Sequence, residues 1–369
     1  SSFPAEAPYR QGPQTQIPSS LKAGEYTLVA AIIDPATGNV KGLVDCTGLL
    51  PNQLRTSSTD VLNGIAVNTA TGEIYITGGT ISHTTNGEGI NNYGRVEASN
   101  VEIKLNGNNS RSSETESFTR FIRNRTADSY ARISDINISN TFQFGKLIDN
   151  EGTAEIIRAN GTVGMIGKNT GSLTIKDSNF TTPTSTTDNF IENSSGTLVI
   201  DNTTISSMIQ RTFDDSIIFL TGGTTTIKDS NISDNNSTCT EWYCKDRNVI
   251  MTSGSANLTI ENSSIITKAP VVTNNAMYLY GTGTVNITSG TITAKKDSAI
   301  IIDKASTLNI GLNTTIKTET NKGIEINAAA TVSIGSKDGN VSTATPEITG
   351  ITYGLYNNNS NSTVNFYDG

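Results

Sequence analysis

The feature that most constrains this chain is a motif that returns in the same order along most of its length. The motif is Gly/Ser-Thr-apolar-x-apolar, as in Gly196-Thr197-Leu198-Val199-Ile200 and Ser306-Thr307-Leu308-Asn309-Ile310. Counting its last apolar residue as the centre, copies fall at 76, 98, 133, 156, 175, 200, 227, 260, 287, 310, 334 and 366, at steps of 19 to 35 residues. A polar bend follows most centres, as in Lys176-Asp177-Ser178-Asn179 and Asp201-Asn202-Thr203-Thr204. About five positions after the centre comes another apolar residue: Phe180, Ile205, Ile232, Ile265, Ile292, Ile316 and Val341. A further apolar cluster, such as Phe190-Ile191 or Ile300-Ile301-Ile302, precedes each centre by eight to ten residues.

Each unit therefore holds three short strands. The second alternates apolar with Thr, Ser or Asn, the period-two signature of a strand with one buried face. A unit of about 25 residues cannot bury its own apolar face, so it must stack on its neighbours. Like strands recurring in constant order predict a parallel β-helix, whereas the strands of a sandwich pair through hairpins. A propeller blade would need a longer period and four strands. Twelve coils stacked at the inter-strand spacing predict a rod about 55 Å long. The general hand of parallel crossovers predicts a right-handed coil.

Composition agrees with this reading. The chain carries 42 isoleucines against 17 leucines, with 55 threonines. These β-branched residues favour strands. Its 40 asparagines and 33 glycines suit turns with a left-handed backbone. The N-terminal part differs. Residues 1–20 hold four of the nine prolines and read as an extended lead-in. Two apolar runs around Asp34-Pro35-Ala36-Thr37-Gly38-Asn39 predict a β-hairpin within 21–60, placed to cap the first coil. The β-helix then occupies 61–369. The last copy, at Phe366, has no matching cap after it, which leaves end-to-end self-association of rods as an expectation.

Several function classes fall away. The net charge is −8, and a nucleic-acid or anionic-membrane binder needs a basic face. No apolar run approaches the length of a membrane-spanning helix. A single histidine, His83, disfavours chemistry built on several imidazoles.

Candidate sites are few. Asp214 and Asp215 are adjacent carboxylates that could act as acid and base on a glycosidic bond, but neighbouring strand residues face opposite ways. The plainer reading is a solvated turn. Asp177, Asp201, Asp229 and Glu261 sit at the polar bend of successive units and form the one acid row that could take a cation such as calcium. The alternative is that they satisfy turn backbone groups. No other cofactor is expected. Two long segments that follow third strands are better candidates, since functional residues concentrate on loops held by a rigid scaffold. Segment 104–130 contains Arg120, Phe121 and Arg123. Segment 233–247 contains Cys239 and Cys244, spaced to staple a small loop by a disulfide. Between and after them lie Trp242, Tyr243 and Arg247, and Trp242 is the only tryptophan. Aromatics on such a loop suit stacking on a sugar or serving as a protein hot spot.

Repeats such as Gly283-Thr284-Val285-Asn286-Ile287-Thr288-Ser289-Gly290-Thr291-Ile292-Thr293, with the ending Asn365-Phe366-Tyr367-Asp368-Gly369, resemble the pectate-lyase-like, right-handed β-helix regions of bacterial cell-surface adhesins of the Gram-positive type. The resemblance spans about 60–369. It implies an extracellular, surface-displayed rod that binds a host or neighbouring-cell glycan or protein without catalysis. Two alternatives stand beside it: a subunit of an extracellular filament, and a polysaccharide lyase or hydrolase. Asp214-Asp215 is similar to the paired aspartates of polygalacturonases, but the Gly-His-Gly and Arg-Ile-Lys motifs of that family are missing.

Overall fold

The computed structural model describes residues 29–33, 40–45, 66–68, 70–83, 87–105, 119–139, 145–183, 189–208, 216–237, 248–270, 274–337 and 345–367. All its regular structure is β. Strands Val29–Ile33 and Val40–Asp45 form an antiparallel hairpin. The second of them comes within 8 Å of Glu73–Thr77 in the first coil.

The rest is a parallel β-helix of twelve coils. Sheet 1 contains twelve parallel strands, from Ala66–Asn68 in coil 1 to Tyr353–Asn357 in coil 12. Sheet 2 starts at Glu73–Thr77 and ends at Thr363–Phe366; sheet 3 starts at Thr80–His83 and ends at Glu347–Thr349. In coils 3, 4, 9 and 10 a single long strand, such as Tyr130–Ser139 or Thr307–Thr318, runs through both sheets.

The register of sheet 2 follows the motif. Ile76, Ala98, Ile133, Ile156, Ile175, Ile200, Ile227, Ile260, Ile287, Ile310, Ile334 and Phe366 pair in one unbroken column. Parallel in-register stacking buries each centre on its equivalents, and all but the final Phe366 are under 8% exposed. In sheet 3 the inward column runs Phe180, Ile205, Ile232, Ile265, Ile292, Ile316 and then Ile348. Ile348 therefore takes the place expected of Val341, which lies outside the described residues.

Sheet 1 holds a second column, made of amides. Asn92, Asn124, Asn150, Asn169 and Asn193 stand in register at the inner end of its strands, each no more than 1% exposed. Each Nδ2 donates to the next Oδ1 at 2.7, 2.8, 2.8 and 2.9 Å. The same Nδ2 atoms also reach turn carbonyls, as Asn150 does with Gly152 and with Ser172 of the next coil. This is how a buried amide and the buried carbonyls of a tight turn are satisfied together. From coil 7 the column becomes Leu220, Thr252, Leu279, Ile302 and Ile326.

Candidate functional site

Asp214, Asp215, Cys239, Trp242, Tyr243, Cys244 and Arg247 lie outside the described residues. The segment that holds the last five leaves the sheet 3 strand Asn231–Asp234 and enters the sheet 1 strand Asn248–Gly254.

The other candidates are in strand rather than loop, since Thr119–Asn124 is the sheet 1 strand of coil 3. Phe121 is 0% exposed and part of the hydrophobic core, which corrects its assignment to a ligand site. It occupies the corner where sheet 3 hands over to sheet 1. There two consecutive residues turn inward in coil after coil: Phe121-Ile122, Leu147-Ile148, Phe190-Ile191 and Val249-Ile250 are all buried. Strict alternation fails at such a corner. Arg120 is half-buried on the outer face and ion-paired with Asp149, which Lys146 Nζ also approaches at 3.6 Å. The backbone N–H of Lys168 donates to the same carboxylate at 3.0 Å. Burial pushes the Asp149 carboxyl up, but Lys146, Arg120 and that N–H outweigh it and hold it below the ordinary carboxylate range. Arg123 pairs in register with Asp149, one residue pair along from Ile122 and Ile148. This cluster binds neighbouring coils to each other, which leaves Arg120 committed within the rod.

The acid row also needs correction. Lys176 pairs with Asp201, Asp201 with Lys228 and Lys228 with Glu261. Asp177, Asn202, Asp229 and Asn262 form the next column along, each with positive φ between 45° and 52°. The four acids therefore occupy two columns in alternating coils. Within these four coils the neighbour of an acid along either column is a lysine or an asparagine. Asp201 Oδ2 lies 3.7 Å from Lys176 Nζ and 3.4 Å from Lys228 Nζ. Asn202 Nδ2 donates to Asp177 Oδ1 at 2.7 Å, and Asn262 Nδ2 to Asp229 Oδ1 at 2.6 Å. Like charges one strand apart would repel, and this alternation avoids them. Among the described residues no three His, Cys, Asp or Glu side chains are grouped to hold a metal ion.

What the bends do form is a groove. It runs along the rod over coils 6 to 9 with a volume of about 300 Å³. Its near wall is Asn202, Asp229 and Asn262; its far wall is Thr204, Asn231, Ser264 and Thr291 on sheet 3. The floor is a hydroxyl ladder. Thr203 Oγ1, Ser230 Oγ and Ser263 Oγ donate to carbonyls two residues back at 2.9, 2.6 and 2.7 Å. The same oxygens of Ser230 and Ser263 accept the N–H of Thr203 and Ser230 from the preceding coil at 3.0 and 3.1 Å. In coil 9 the floor residue is Gly290, at φ +118°, where a Cβ would lie 2.2 Å from the Ser263 carbonyl oxygen. Only glycine fits there, because the Ser263 backbone fills the place of a side chain.

The outer face of sheet 1 changes along the rod. Arg123, Asp149, Lys168 and Glu192 alternate in sign over coils 3 to 6, and Lys168 Nζ meets Glu192 Oε1 at 2.9 Å. The same column then becomes Phe219, Met251, Tyr278 and Ile301, all half-buried. Tyr278 and the 42% exposed Tyr280 stack at 5.8 Å, with Lys304 over the Tyr280 ring and Asp303 accepting from the Tyr278 hydroxyl at 2.8 Å.

Of the groove walls only Asp229 was singled out by sequence reasoning, as a member of the acid row, and the tyrosine pair was not. The signal for the first was present: four successive bends read Lys-Asp-Ser-Asn, Asp-Asn-Thr-Thr, Lys-Asp-Ser-Asn and Glu-Asn-Ser-Ser.

A family model described as glutamine cyclotransferase matches residues 26–83. That stretch takes in the hairpin and the first coil, and stops well short of the groove. It is less than a sixth of the chain and does not place the chain in that family. No curated protein and no solved structure matches.

Proposed function

We propose that the chain is an extracellular, surface-displayed β-helix rod that binds a glycan or protein ligand without catalysing its turnover. The observation that carries this reading is the filled interior. One continuous hydrophobic core runs from Ile74 to Ile334, so any ligand must be met on the outside. There the parallel register repeats each outer position once per coil, which gives long, rigid, shallow surfaces suited to extended ligands. The resemblance to cell-surface adhesins points the same way, as does the groove rich in hydroxyls and amides.

The test is an array of glycans and matrix proteins scored for both binding and turnover. A reporter of ammonia release from an N-terminal glutaminyl peptide is run alongside it. Saturable binding with no new sugar ends and no ammonia is the expected result. Turnover of a glycan would replace the reading with a lyase or hydrolase, and ammonia release would give weight to the match at 26–83.

A further inference from the structure

We propose that the groove over coils 6 to 9 is a binding site for a neutral, linear oligosaccharide laid along the rod axis. The inference rests on the glycan-binding reading above and gives it a place. Three properties of the groove select this ligand class.

The first is its chemistry. The walls present amides from Asn202, Asn231 and Asn262 and hydroxyls from Thr204, Ser264 and Thr291. A side-chain amide offers two donors and a two-lone-pair acceptor on one planar edge, which matches the vicinal hydroxyls of a pyranose. The one charged group lining it is Asp229. A single carboxylate accepts well from sugar hydroxyls, disfavours an anionic chain and is too little for a cation cage. The flanking charges Lys176, Asp201 and Lys228 pair among themselves rather than face a ligand. Nor does any aromatic or arginine line it, the residues that anchor a protein partner.

The second property is preorganisation. Asn202, Asp229 and Asn262 are held in the left-handed region, and the amide–carboxylate bond from Asn262 to Asp229 fixes both heads. The buried hydroxyl floor is already satisfied, so binding needs only the wall groups to exchange water for sugar. The third is periodicity. Equivalent wall groups recur once per coil, at about 4.8 Å, and a sugar ring in an extended chain spans about one such step.

Asn231 is the residue to change. It is exposed, sits mid-groove on a regular strand, and is outside the left-handed column where substitutions would strain the backbone. The full chain and its Asn231→Trp and Asn231→Ala variants are titrated by NMR with cellohexaose, xylohexaose and mannohexaose. Hexagalacturonate and calcium chloride are the controls, and thermal melts confirm that both variants fold. At least one neutral hexamer should bind with Kd near the millimolar range, as expected for hydrogen bonding without an aromatic platform. Asn231→Ala should weaken it about fivefold, and Asn231→Trp should abolish it. Hexagalacturonate and calcium should leave the groove resonances unmoved. Failure of all three neutral hexamers, or binding that survives Asn231→Trp, overturns the proposal. Survival in the variant, with a ligand found on the array, would leave the adhesin reading standing and remove only the groove. An array with no ligand at all would remove both.

Discussion

Coils 2 to 6 and coils 7 to 11 build the same sheet 1 from opposite materials. In the first half the inner end of each strand is an asparagine in a hydrogen-bonded chain, and from coil 3 the outer face alternates in charge. In the second half the inner position is Leu, Thr or Ile, and the outer face is Phe, Met, Tyr and Ile until Glu325 in coil 11. The backbone register continues across the boundary without a slip. Stacking is thus set by the parallel ladder and the central isoleucines. The side-chain columns are alternative ways to satisfy it. The first half depends on polar groups that must all be paired, the second on apolar burial.

The largest expected effect comes from crossing these materials. Asn150→Leu would take a donor from Asn169 Oδ1's chain, an acceptor from Asn124 and a donor from the carbonyls of Gly152 and Ser172. Buried polar groups left unpaired cost about 1–3 kcal/mol each, so a loss of about 3–4 kcal/mol is expected in denaturant unfolding. The converse, Leu279→Asn, places an amide among aliphatics and should cost about 3 kcal/mol. A loss below about 1 kcal/mol for Asn150→Leu would show that the amide chain is ornamental and erase the distinction between the halves.

The outer face of the first half should respond to pH. Asp149 has its carboxyl held below the ordinary value by Lys146 and Arg120 despite burial. A depressed folded pKa adds stability that is complete above the unfolded pKa, and is lost as pH falls through the folded one. Asp149→Asn should therefore cost about 2 kcal/mol at pH 7, the scale of a hydrogen bond to a charged group. The gap between the two proteins should stay constant down to about pH 5 and narrow below pH 4. A gap that is the same at pH 7 and pH 3 would mean that the ionised carboxylate contributes nothing. Phe219 and Met251, at the same outer position in coils 7 and 8, carry no titrating group.

At the boundary itself, the last amide needs an acceptor. Thr225 supplies it: its Oγ1 accepts from Asn193 Nδ2 at 3.1 Å, at the inward sheet 2 position that is leucine in coils 5, 6 and 8. Thr225→Leu should cost about 1–1.5 kcal/mol. Adding Leu220→Asn to it moves the boundary by one coil and should recover about half of the sum of the single losses. A double-mutant cycle reads this coupling directly, and strict additivity would break the account.

Much of this was legible. All twelve centres counted in the sequence pair in the structure, because period-two alternation fixes which face is buried and the motif fixes the register. The acid row failed by one residue. Asp177 and Asp229 are two positions after their central isoleucine, Asp201 and Glu261 only one. Matching by residue type hid an offset that counting from Ile175, Ile200, Ile227 and Ile260 would have exposed. The amide column was missed for another reason. Asparagine beside glycine reads as turn chemistry, and Asn92, Asn150 and Asn169 do serve turns, but from inside the core. Phe121 was misplaced because alternation does not survive the corner between sheets. Val341 gave way to Ile348 because unit length varies in coil 11, and periodicity cannot locate a strand beyond a variable connection.

The smallest effect belongs to the column that ignores the boundary. Left-handed residues run from Asn100 in coil 2 to Asn262 in coil 8, through both halves. All are Asn or Asp except Arg158, at φ 51°. A long side chain tolerates this conformation less well than Asn does. Arg158 is compensated by a bidentate pair with Asp135 at 2.6 and 2.7 Å, but that pair is solvent-exposed, and exposed pairs contribute little. Arg158→Asn exchanges the pair for a residue at ease in the left-handed region, with its amide placed to bond Asp135 as Asn202 bonds Asp177. The two changes nearly cancel, so the thermal midpoint should hardly move at physiological salt. Raising the ionic strength should favour the variant, since only the wild type has an ion pair to screen. A clear drop in the thermal midpoint that persists in high salt would show that the Arg158 stem packs on the rod, and that the left-handed column too is built differently in the two halves.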